Sequence, residues 1–232
     1  MLAGKLYIIG GKKLVSGSEA NSRATYVYDP ANKTLSTKAQ LPADFHHISA
    51  AAAYGKIYLV GSPSATSTSK SLYEYSPVTN QWTLLTSVNT AYSGLTSVVF
   101  WNSRIYMITA YSSSLRTVVT YDPVTGTTET KPNITLNSSA SYRTHTAVFN
   151  GELYLISPMT YSYLKCTNTG GTDSWSAGTW NLYAYPSTVL LGSNFYSFYA
   201  RELNPRDSYF TFSITLPPLQ VVVCGKDPIR VR

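Results

Sequence analysis

Apolar and polar residues alternate along this chain in short runs, and turn-forming residues separate the runs. One run begins with Gly or Ser and continues as a charged residue, an apolar residue, Tyr and two apolar residues. It recurs at 4–11, 55–61, 103–108 and 151–156, with tyrosine-to-tyrosine spacings of 51, 48 and 48 residues. Alternation with period two is typical of strands, and a self-similar period near 50 residues is typical of repeat proteins. The pattern therefore predicts one small antiparallel sheet per repeat.

Two neighbouring strands of each repeat follow from the turn residues. A second apolar stretch precedes each of the last three copies, and the pairs at 54–55, 102–103 and 150–151 separate the two stretches. Pairs such as Asn-Gly favour the tight turns that join antiparallel strands. Each copy is therefore predicted to be the second strand of a hairpin.

A third and a fourth strand complete the predicted unit. Tyrosine-rich stretches that end at a proline occur at 26–30, 72–77 and 119–123, and 81–85 reads as an outer strand. Proline cannot donate to a strand ladder, so it ends the third strand in a turn. Four antiparallel strands per repeat predict one blade of a β-propeller, and no helical period is sustained.

The last third of the chain is less regular. The third-strand signature returns at 180–186 after a predicted insertion at 160–178, and 187–224 resembles a shortened fifth unit. The chain begins directly in a second-strand phrase, which predicts an incomplete first unit. We expect one all-β domain over 1–232, with about five blades, four clear and one degenerate, at about 4–41, 42–86, 87–135, 136–186 and 187–224.

These motifs resemble the kelch repeat. The second strand at 7–11 ends in a Gly-Gly doublet, the third strand at 26–30 ends in Tyr-Asp-Pro, and Trp82 follows the comparable strand at 75–77. The chain departs from the family in keeping the doublet only once and in offering four or five units instead of six or seven. The resemblance implies a propeller that serves as a binding module. The best-known enzyme relatives of this family are copper oxidases that resemble galactose oxidase.

Composition narrows the class of partner. Charged residues make up only 12% of the chain, and 18 Lys and Arg against 11 Asp and Glu give a net charge of +7. The bases are dispersed and are not clustered with stacking aromatic residues, so we expect no nucleic-acid partner. No apolar run is long enough to cross a membrane. The two cysteines, Cys166 and Cys224, match neither a metal-ligand spacing nor a redox motif; a single bridge and two separate thiols both remain open.

The candidate chemical groups favour structural roles. Asp29 and Asp122 recur in the third-strand turn, where an aspartate bonds to nearby backbone N–H groups. His46 and His47 are adjacent in a predicted strand, so their side chains are expected on opposite faces and not in one metal site. His145 lies in the corresponding strand two units later. We therefore expect no catalytic residues, no metal and no cofactor, and we expect the repeated tyrosines to pack between neighbouring units.

Binding residues are expected in the long loops that follow each second strand and link the units, because such loops vary on a rigid scaffold. Tyr, Trp and Arg are enriched at interface hot spots, and basic residues suit an acidic partner. The predicted binding residues are Lys12, Lys13, Arg23, Tyr111, Arg116, Tyr142, Arg143, Tyr161, Tyr163 and Trp175.

The sequence also contains three sequons in predicted turns or loops, at Asn32, Asn133 and Asn137, which favour an extracellular or secretory location. The function predicted from the sequence is non-enzymatic binding of another protein, with oligomeric state open. The alternatives are a carbohydrate-directed enzyme, either a copper oxidase or a sugar isomerase, and a structural subunit of a larger assembly.

Overall fold

The computed structural model is built from antiparallel β-sheets, and its described residues contain no helix. The chain divides into two compact units, Met1–Thr135 and Leu136–Arg232, which we treat separately. The structure describes residues 2–89, 96–110, 115–136, 144–157, 162–179, 186–191, 194–204, 207–215 and 220–223.

The first unit contains three antiparallel sheets and one hairpin. The sheets have the strand orders β1-β4-β5, β6-β7-β8-β9 and β10-β11-β12-β13, and β2 pairs with β3. The strands are β1 (Leu6–Ile9), β2 (Lys12–Val15), β3 (Ser18–Asn21), β4 (Thr25–Asp29), β5 (Thr34–Lys38), β6 (His46–Ala53), β7 (Lys56–Ser62), β8 (Ser69–Ser76), β9 (Gln81–Asn89), β10 (Thr96–Trp101), β11 (Arg104–Ala110), β12 (Leu115–Tyr121) and β13 (Thr128–Thr135).

The second unit contains two four-stranded sheets, with the orders β14-β15-β16-β17 and β18-β19-β20-β21. Each strand again pairs with the next one in sequence, antiparallel throughout. The strands are β14 (His145–Phe149), β15 (Glu152–Ser157), β16 (Ser162–Thr169), β17 (Thr172–Thr179), β18 (Pro186–Leu191), β19 (Asn194–Asn204), β20 (Asp207–Thr215) and β21 (Gln220–Val223).

The predicted tight turns are confirmed. The two turn residues have positive φ in each case: 49° and 73° at Tyr54 and Gly55, 47° and 60° at Asn102 and Ser103, and 48° and 77° at Asn150 and Gly151. Two consecutive residues with positive φ define the hairpin turn whose twist matches that of the flanking strands. The predicted first and second strands therefore fall where the sequence places them, and so do the third strands of the first three units. In the fourth unit the prediction is wrong, because the third strand is β16 (Ser162–Thr169) and not the segment at 180–186.

Two predicted loops are wrong, because the structure forms strands there. Residues 12–24 contain the hairpin of β2 and β3, turned at Ser16 and Gly17 with φ of 50° and 82°. Residues 160–178 contain β16 and most of β17, which complete the fourth sheet. These strands are rich in polar residues, so they lack the apolar run that marks the inner strands. The third-strand signature expected at 180–186 lies almost wholly outside the described residues.

The repeated tyrosine of the second strand packs between neighbouring sheets at Tyr7 and Tyr58, whereas the described ring contacts of Tyr106 and Tyr154 lie within their own sheets. The ring of Tyr7 on β1 lies 6.0 Å from the ring of Tyr75 on β8, and Tyr58 on β7 lies 6.3 Å from Tyr121 on β12. Each pair joins the second strand of one sheet to the third strand of the next. Burial of these large rings is a major source of hydrophobic stabilisation between the sheets.

The core of the first unit lies between its second and third sheets. Tyr58, Leu72, Ile105, Met107 and Val119 are buried there with their neighbours in one apolar cluster. A smaller cluster of Leu41, Phe45 and Leu59 joins the first and second sheets, and Ile9, Ile48, Tyr73 and Trp82 pack against it. The sheets therefore pack face against face, since a four-stranded sheet cannot bury both faces by itself.

The segment that links the first two sheets is held by side chains from the second. The N–H of Ala39 donates to Oδ1 of Asn80 (2.9 Å), and the indole N–H of Trp82 donates to the carbonyl of Ala39 (3.0 Å). The buried Tyr75 hydroxyl also donates to Asn80 Oδ1 (2.8 Å). One amide oxygen thus joins the linker, the turn before β9 and the core.

Asn80→Ala is expected to lower the free energy of unfolding by about 2 kcal/mol, because two hydrogen bonds lose their acceptor and one of them leaves a buried hydroxyl without a partner. Asn80 also has φ of 55°, which alanine adopts less readily. Urea unfolding measures the change. Asn80→Asp is the matched control, since it keeps the acceptor; equal losses in the two variants would contradict this role.

Candidate interaction surface

The first unit has two edges of different character. The first strands β6 and β10 run parallel, because Ser49 Oγ accepts from the N–H of Val98 (3.1 Å) near their starts and Tyr54 contacts the Phe100 ring (5.2 Å) near their ends. Loops from the second to the third strands and the starts of the first strands therefore share one edge, which we call the loop edge. The tight turns before the second strands share the opposite edge, which we call the turn edge.

Charges at the turn edge are balanced in pairs. Lys5 lies 3.1 Å from Asp29, Lys56 lies 2.7 Å from Glu74, and Arg104 lies 3.7 Å from Asp122, so a base of each second strand meets an acid of its third strand. Exposed pairs of this kind add little stability, but they cancel the local field.

The two turn aspartates have the capping role predicted for them. Asp29 Oδ1 accepts from the N–H of Ala31 at 3.0 Å, and Asp122 Oδ1 accepts from the N–H of Val124 at 2.9 Å. The hydrogen bond from Lys5, together with those of the turn, holds the pKa of Asp29 below its usual range. The backbone N–H groups of Val124 and Thr125 do the same for the pKa of Asp122.

Charges at the loop edge are unbalanced. Six bases lie there against two acids, Glu19 and Asp44, which leaves a formal excess of four positive charges before the histidines are counted. Every charged residue of the first unit is among the described residues, so this count is complete for that unit. The bases are Lys12, Lys13, Arg23, Lys38, Lys70 and Arg116.

A cleft of about 710 Å³ opens between the first and second sheets on the loop-edge side. Lys12 and Asn21 contribute to it from the β2–β3 hairpin, and His46 and His47 contribute from the start of β6. Tyr7, Ile9, Phe45 and Ile48 give the same cleft an apolar wall. Apolar walls with a few convergent polar groups are typical of binding sites.

The expectation that His46 and His47 point to opposite faces is wrong. The pairing of β6 with β7 shifts register between His46 and Ser49, and His47 has φ of 54°. A β-bulge of this kind adds a residue to one strand and redirects the side chains around it. Both imidazoles therefore line the cleft, with ring centroids 6.3 Å apart. A left-handed backbone at a bulky residue costs free energy, and such strain often occurs at functional sites.

A buried lysine lies behind this bulge. Lys70 is 1% exposed, and its ammonium donates to Ser62 Oγ at 2.6 Å and to the Ser67 carbonyl at 3.4 Å. Burial lowers the pKa of Lys70. Burial also lowers the pKa of His47; a hydrogen bond with the backbone of Ala65 opposes the change, and the charges of Lys70 and His46 add to it.

A recurrent pattern in the sequence marks the position of Lys70. A base precedes the third-strand tyrosine by five residues in each of the first three units: Arg23 before Tyr28, Lys70 before Tyr75 and Arg116 before Tyr121. The structure gives Arg23 and Arg116 contacts to backbone oxygens. Arg23 Nε donates to the Leu41 carbonyl (2.6 Å), and an Arg116 guanidinium nitrogen donates to the Leu115 carbonyl (3.0 Å).

Apart from Arg23, the predicted binding residues differ in their exposure and in the elements that hold them. Lys12 and Lys13 are exposed on β2, and Lys12 lies 3.4 Å from Glu19. Arg116 lies within β12 with no exposed surface, not in a loop as predicted. Tyr163 and Trp175 lie half-buried in β16 and β17, again not in a loop. Tyr111, Tyr142, Arg143 and Tyr161 lie outside the described residues.

The predicted glycosylation positions are also distributed. Asn32 is exposed in the turn between β4 and β5, where its amide donates to Asp29 Oδ2 (3.1 Å). Asn133 is exposed on the outer strand β13 and not in a loop, beside a register shift that accommodates Pro132. Asn137 and Cys224 lie outside the described residues, and Cys166 is buried in β16.

Neither a metal site nor a known relative identifies a function for the described residues. Among the residues that the structure describes, no three His, Cys, Asp or Glu side chains are grouped closely enough to hold a metal ion. A search of the same residues found no helix with the length and hydropathy needed to span a bilayer. No family model and no curated protein matches the chain. The kelch resemblance therefore depends on the repeated motifs alone.

The lowered pKa of His47 predicts that the protein loses stability in mild acid. The unfolded chain, with a histidine pKa of about 6.5, binds more protons than the folded one, so the free energy of unfolding falls as pH falls below about 6.5. Urea unfolding at about pH 7.5 and about pH 5.5 measures this slope. We expect His47→Gln to flatten it and His46→Gln to retain it; an unchanged slope in His47→Gln would show that another group is responsible.

Proposed function

We propose that this chain is a non-enzymatic protein-binding module with a kelch-like β-propeller architecture of about five blades, and that its loop edge recognises an acidic partner. The support for the architecture is the succession of small antiparallel sheets, whose strands pair in sequence order apart from the β2–β3 hairpin inserted in the first sheet, together with repeated turns and inter-sheet tyrosines. This arrangement is the one expected of successive propeller blades.

The observation that carries the binding proposal is the unequal distribution of charge. The turn edge of the first unit pairs each acid with a base, whereas the loop edge has six bases against two acids. Complementary charge raises association rates and disfavours partners of the wrong sign. Lys12, His46 and His47 bring the basic character into the cleft, where apolar walls can bury part of a partner.

A protein partner fits this surface better than a nucleic acid does. Arg23, Lys70 and Arg116 donate to protein oxygens and lie at the ends of separate sheets, so they form no continuous track of exposed bases. Binding to a phosphate backbone depends on many exposed bases along one path, and single strands also need stacking aromatic residues.

The test replaces the two exposed loop-edge lysines with glutamate, as Lys12→Glu combined with Lys13→Glu. The matched control is Lys5→Glu combined with Lys33→Glu, which makes the same charge change at the turn edge. The probe is a fluorescein-labelled glutamate-rich peptide, titrated by anisotropy at low and at physiological salt. We expect the loop-edge variant to weaken binding about tenfold or more and the control to change it about twofold.

Two results would overturn the proposal. Equal losses in both double variants would mean that net charge, and not the loop edge, attracts the peptide. Tighter binding of a single-stranded oligonucleotide of equal charge at the same salt would indicate a nucleic-acid partner.

A further inference from the structure

The first sheet begins in the same way as its neighbours but then lacks a strand among the described residues. Leu2 and Lys5 exchange two backbone hydrogen bonds of 3.0 Å across the turn at Ala3 and Gly4, where φ is 49° and 74°. The same pairing joins Ala53 to Lys56 and Trp101 to Arg104 at the ends of the first strands β6 and β10. Leu2 thus occupies the last position of a first strand.

The edge of β1 beyond this pair is open within the described part of the chain, where β1 pairs only with β4. Leu6 and Ile8 on β1 are 44% and 49% exposed, whereas the corresponding Ile57 and Leu59 on β7 are 4% and 0% exposed. An edge strand with exposed apolar residues is a template for pairing with another strand.

A groove runs along this open edge. Leu2, Leu6 and Tyr7 line one side of a cavity of about 120 Å³, and 50–52 on β6 line the other. The groove continues toward the loop edge as the larger cleft, which contains Ile9, Lys12, His46 and His47. The small side chains of Ala50 and Ala52 leave room for an additional backbone.

The backbone donors of β1 alternate between its two sides. The N–H of Gly10 donates to Ala24 on the β4 side (2.8 Å), and the N–H of Lys5 donates to Leu2 on the opposite side. Since N–H direction alternates along a strand, those of Tyr7 and Ile9 point to the open edge. A strand placed there would bond at the residues opposite Tyr7 and Ile9.

The repeat also specifies the side chains that such a strand needs. Between the second and third sheets, the N–H of Val98 donates to Ser49 Oγ, and Ser49 is opposite Val60. Ala50 corresponds to Val98, and Ile9 corresponds to Val60. The added strand therefore needs Ser or Thr opposite Ile9, to accept from Ala50, and a small apolar residue opposite Tyr7. Its residues nearest Lys12, His46 and His47 should be acidic.

We propose that an extended segment of the partner protein adds antiparallel to β1 at this edge, with acidic residues first and then alternating apolar and small residues that include Ser or Thr. This inference rests on the proposed function, because it places the acidic partner in the same cleft. Strand addition supplies affinity through main-chain bonds and specificity through alternate side chains.

The probe is the synthetic peptide Glu-Glu-Val-Ser-Val-Ala-Val, and the readout is amide hydrogen exchange resolved by residue. In the protein alone we expect fast exchange at Tyr7 and Ile9 and slow exchange at Ile8 and Gly10, which face β4. Saturating peptide should slow exchange at Tyr7 and Ile9 at least about tenfold and leave Ile8 and Gly10 unchanged.

Two matched pairs test the backbone bonds. Ile9→Pro removes the donor that faces the peptide and is expected to weaken binding about tenfold or more, whereas Ile9→Val keeps the donor and should bind normally. Independently of protein folding, N-methylation of the peptide at Ser and Ala should abolish binding. N-methylation at the valines that follow them should be tolerated, because their N–H groups face away from β1.

Three outcomes would overturn strand addition. The first is slow exchange at Tyr7 and Ile9 in the protein alone, which would mean that another part of the chain occupies the edge. The others are no change in exchange at these amides when the peptide is added, and equal effects of the two N-methylated peptides on binding. If the loop-edge charge variant still abolishes acidic-peptide binding in those cases, the proposed function stands without strand addition. If the amides respond equally to a peptide whose glutamates are replaced by lysine, the acidic preference is wrong and strand addition stands.

Discussion

Packing of one small sheet against the next is the constraint on which the first unit depends. A sheet of three or four strands pairs its own backbone groups but leaves two apolar faces, so it is stable only when neighbours cover them. Tyr7 and Tyr58, on the second strands of the first two sheets, meet this need by contacting the third-strand tyrosine of the following sheet. At these two positions the repeated tyrosine therefore supports the architecture and does not form a ligand site.

The repeated turns also determine at which edge the acidic residues lie. The turn that follows each third strand needs a short acceptor for its N–H groups, and aspartate at Asp29 and Asp122 supplies it. Those acids then attract bases of the second strands, which neutralises the turn edge. The loop edge has no comparable turn requirement and few acids, so the bases of the first unit predominate there. A surface with a definite sign of charge thus follows from backbone chemistry at the opposite edge.

The cleft shows how a small departure from the repeat creates a distinct site. The bulge at His47 turns two adjacent imidazoles toward the same space, beside Lys12 and in front of the buried Lys70. Regular alternation would have separated them. A bulge is decided by how β6 fits against β7 and against the first sheet, where Ile48 and Phe45 pack on the linker residue Leu41. No pattern within the sequence of β6 predicts this bulge.

The sequence by itself determined the apolar strands, the tight turns and the period of the repeat, because alternation, turn-forming pairs and strand-ending prolines act over a few residues. It also identified the capping role of Asp29 and Asp122 and the inter-sheet role of Tyr7 and Tyr58. Only the tertiary structure decided that Arg116 is buried, that polar segments such as Lys12–Val15 and Ser162–Thr169 form strands, and that His46 and His47 share a cleft. These outcomes depend on contacts between residues distant in sequence, where burial and pairing override the local preference of a polar segment.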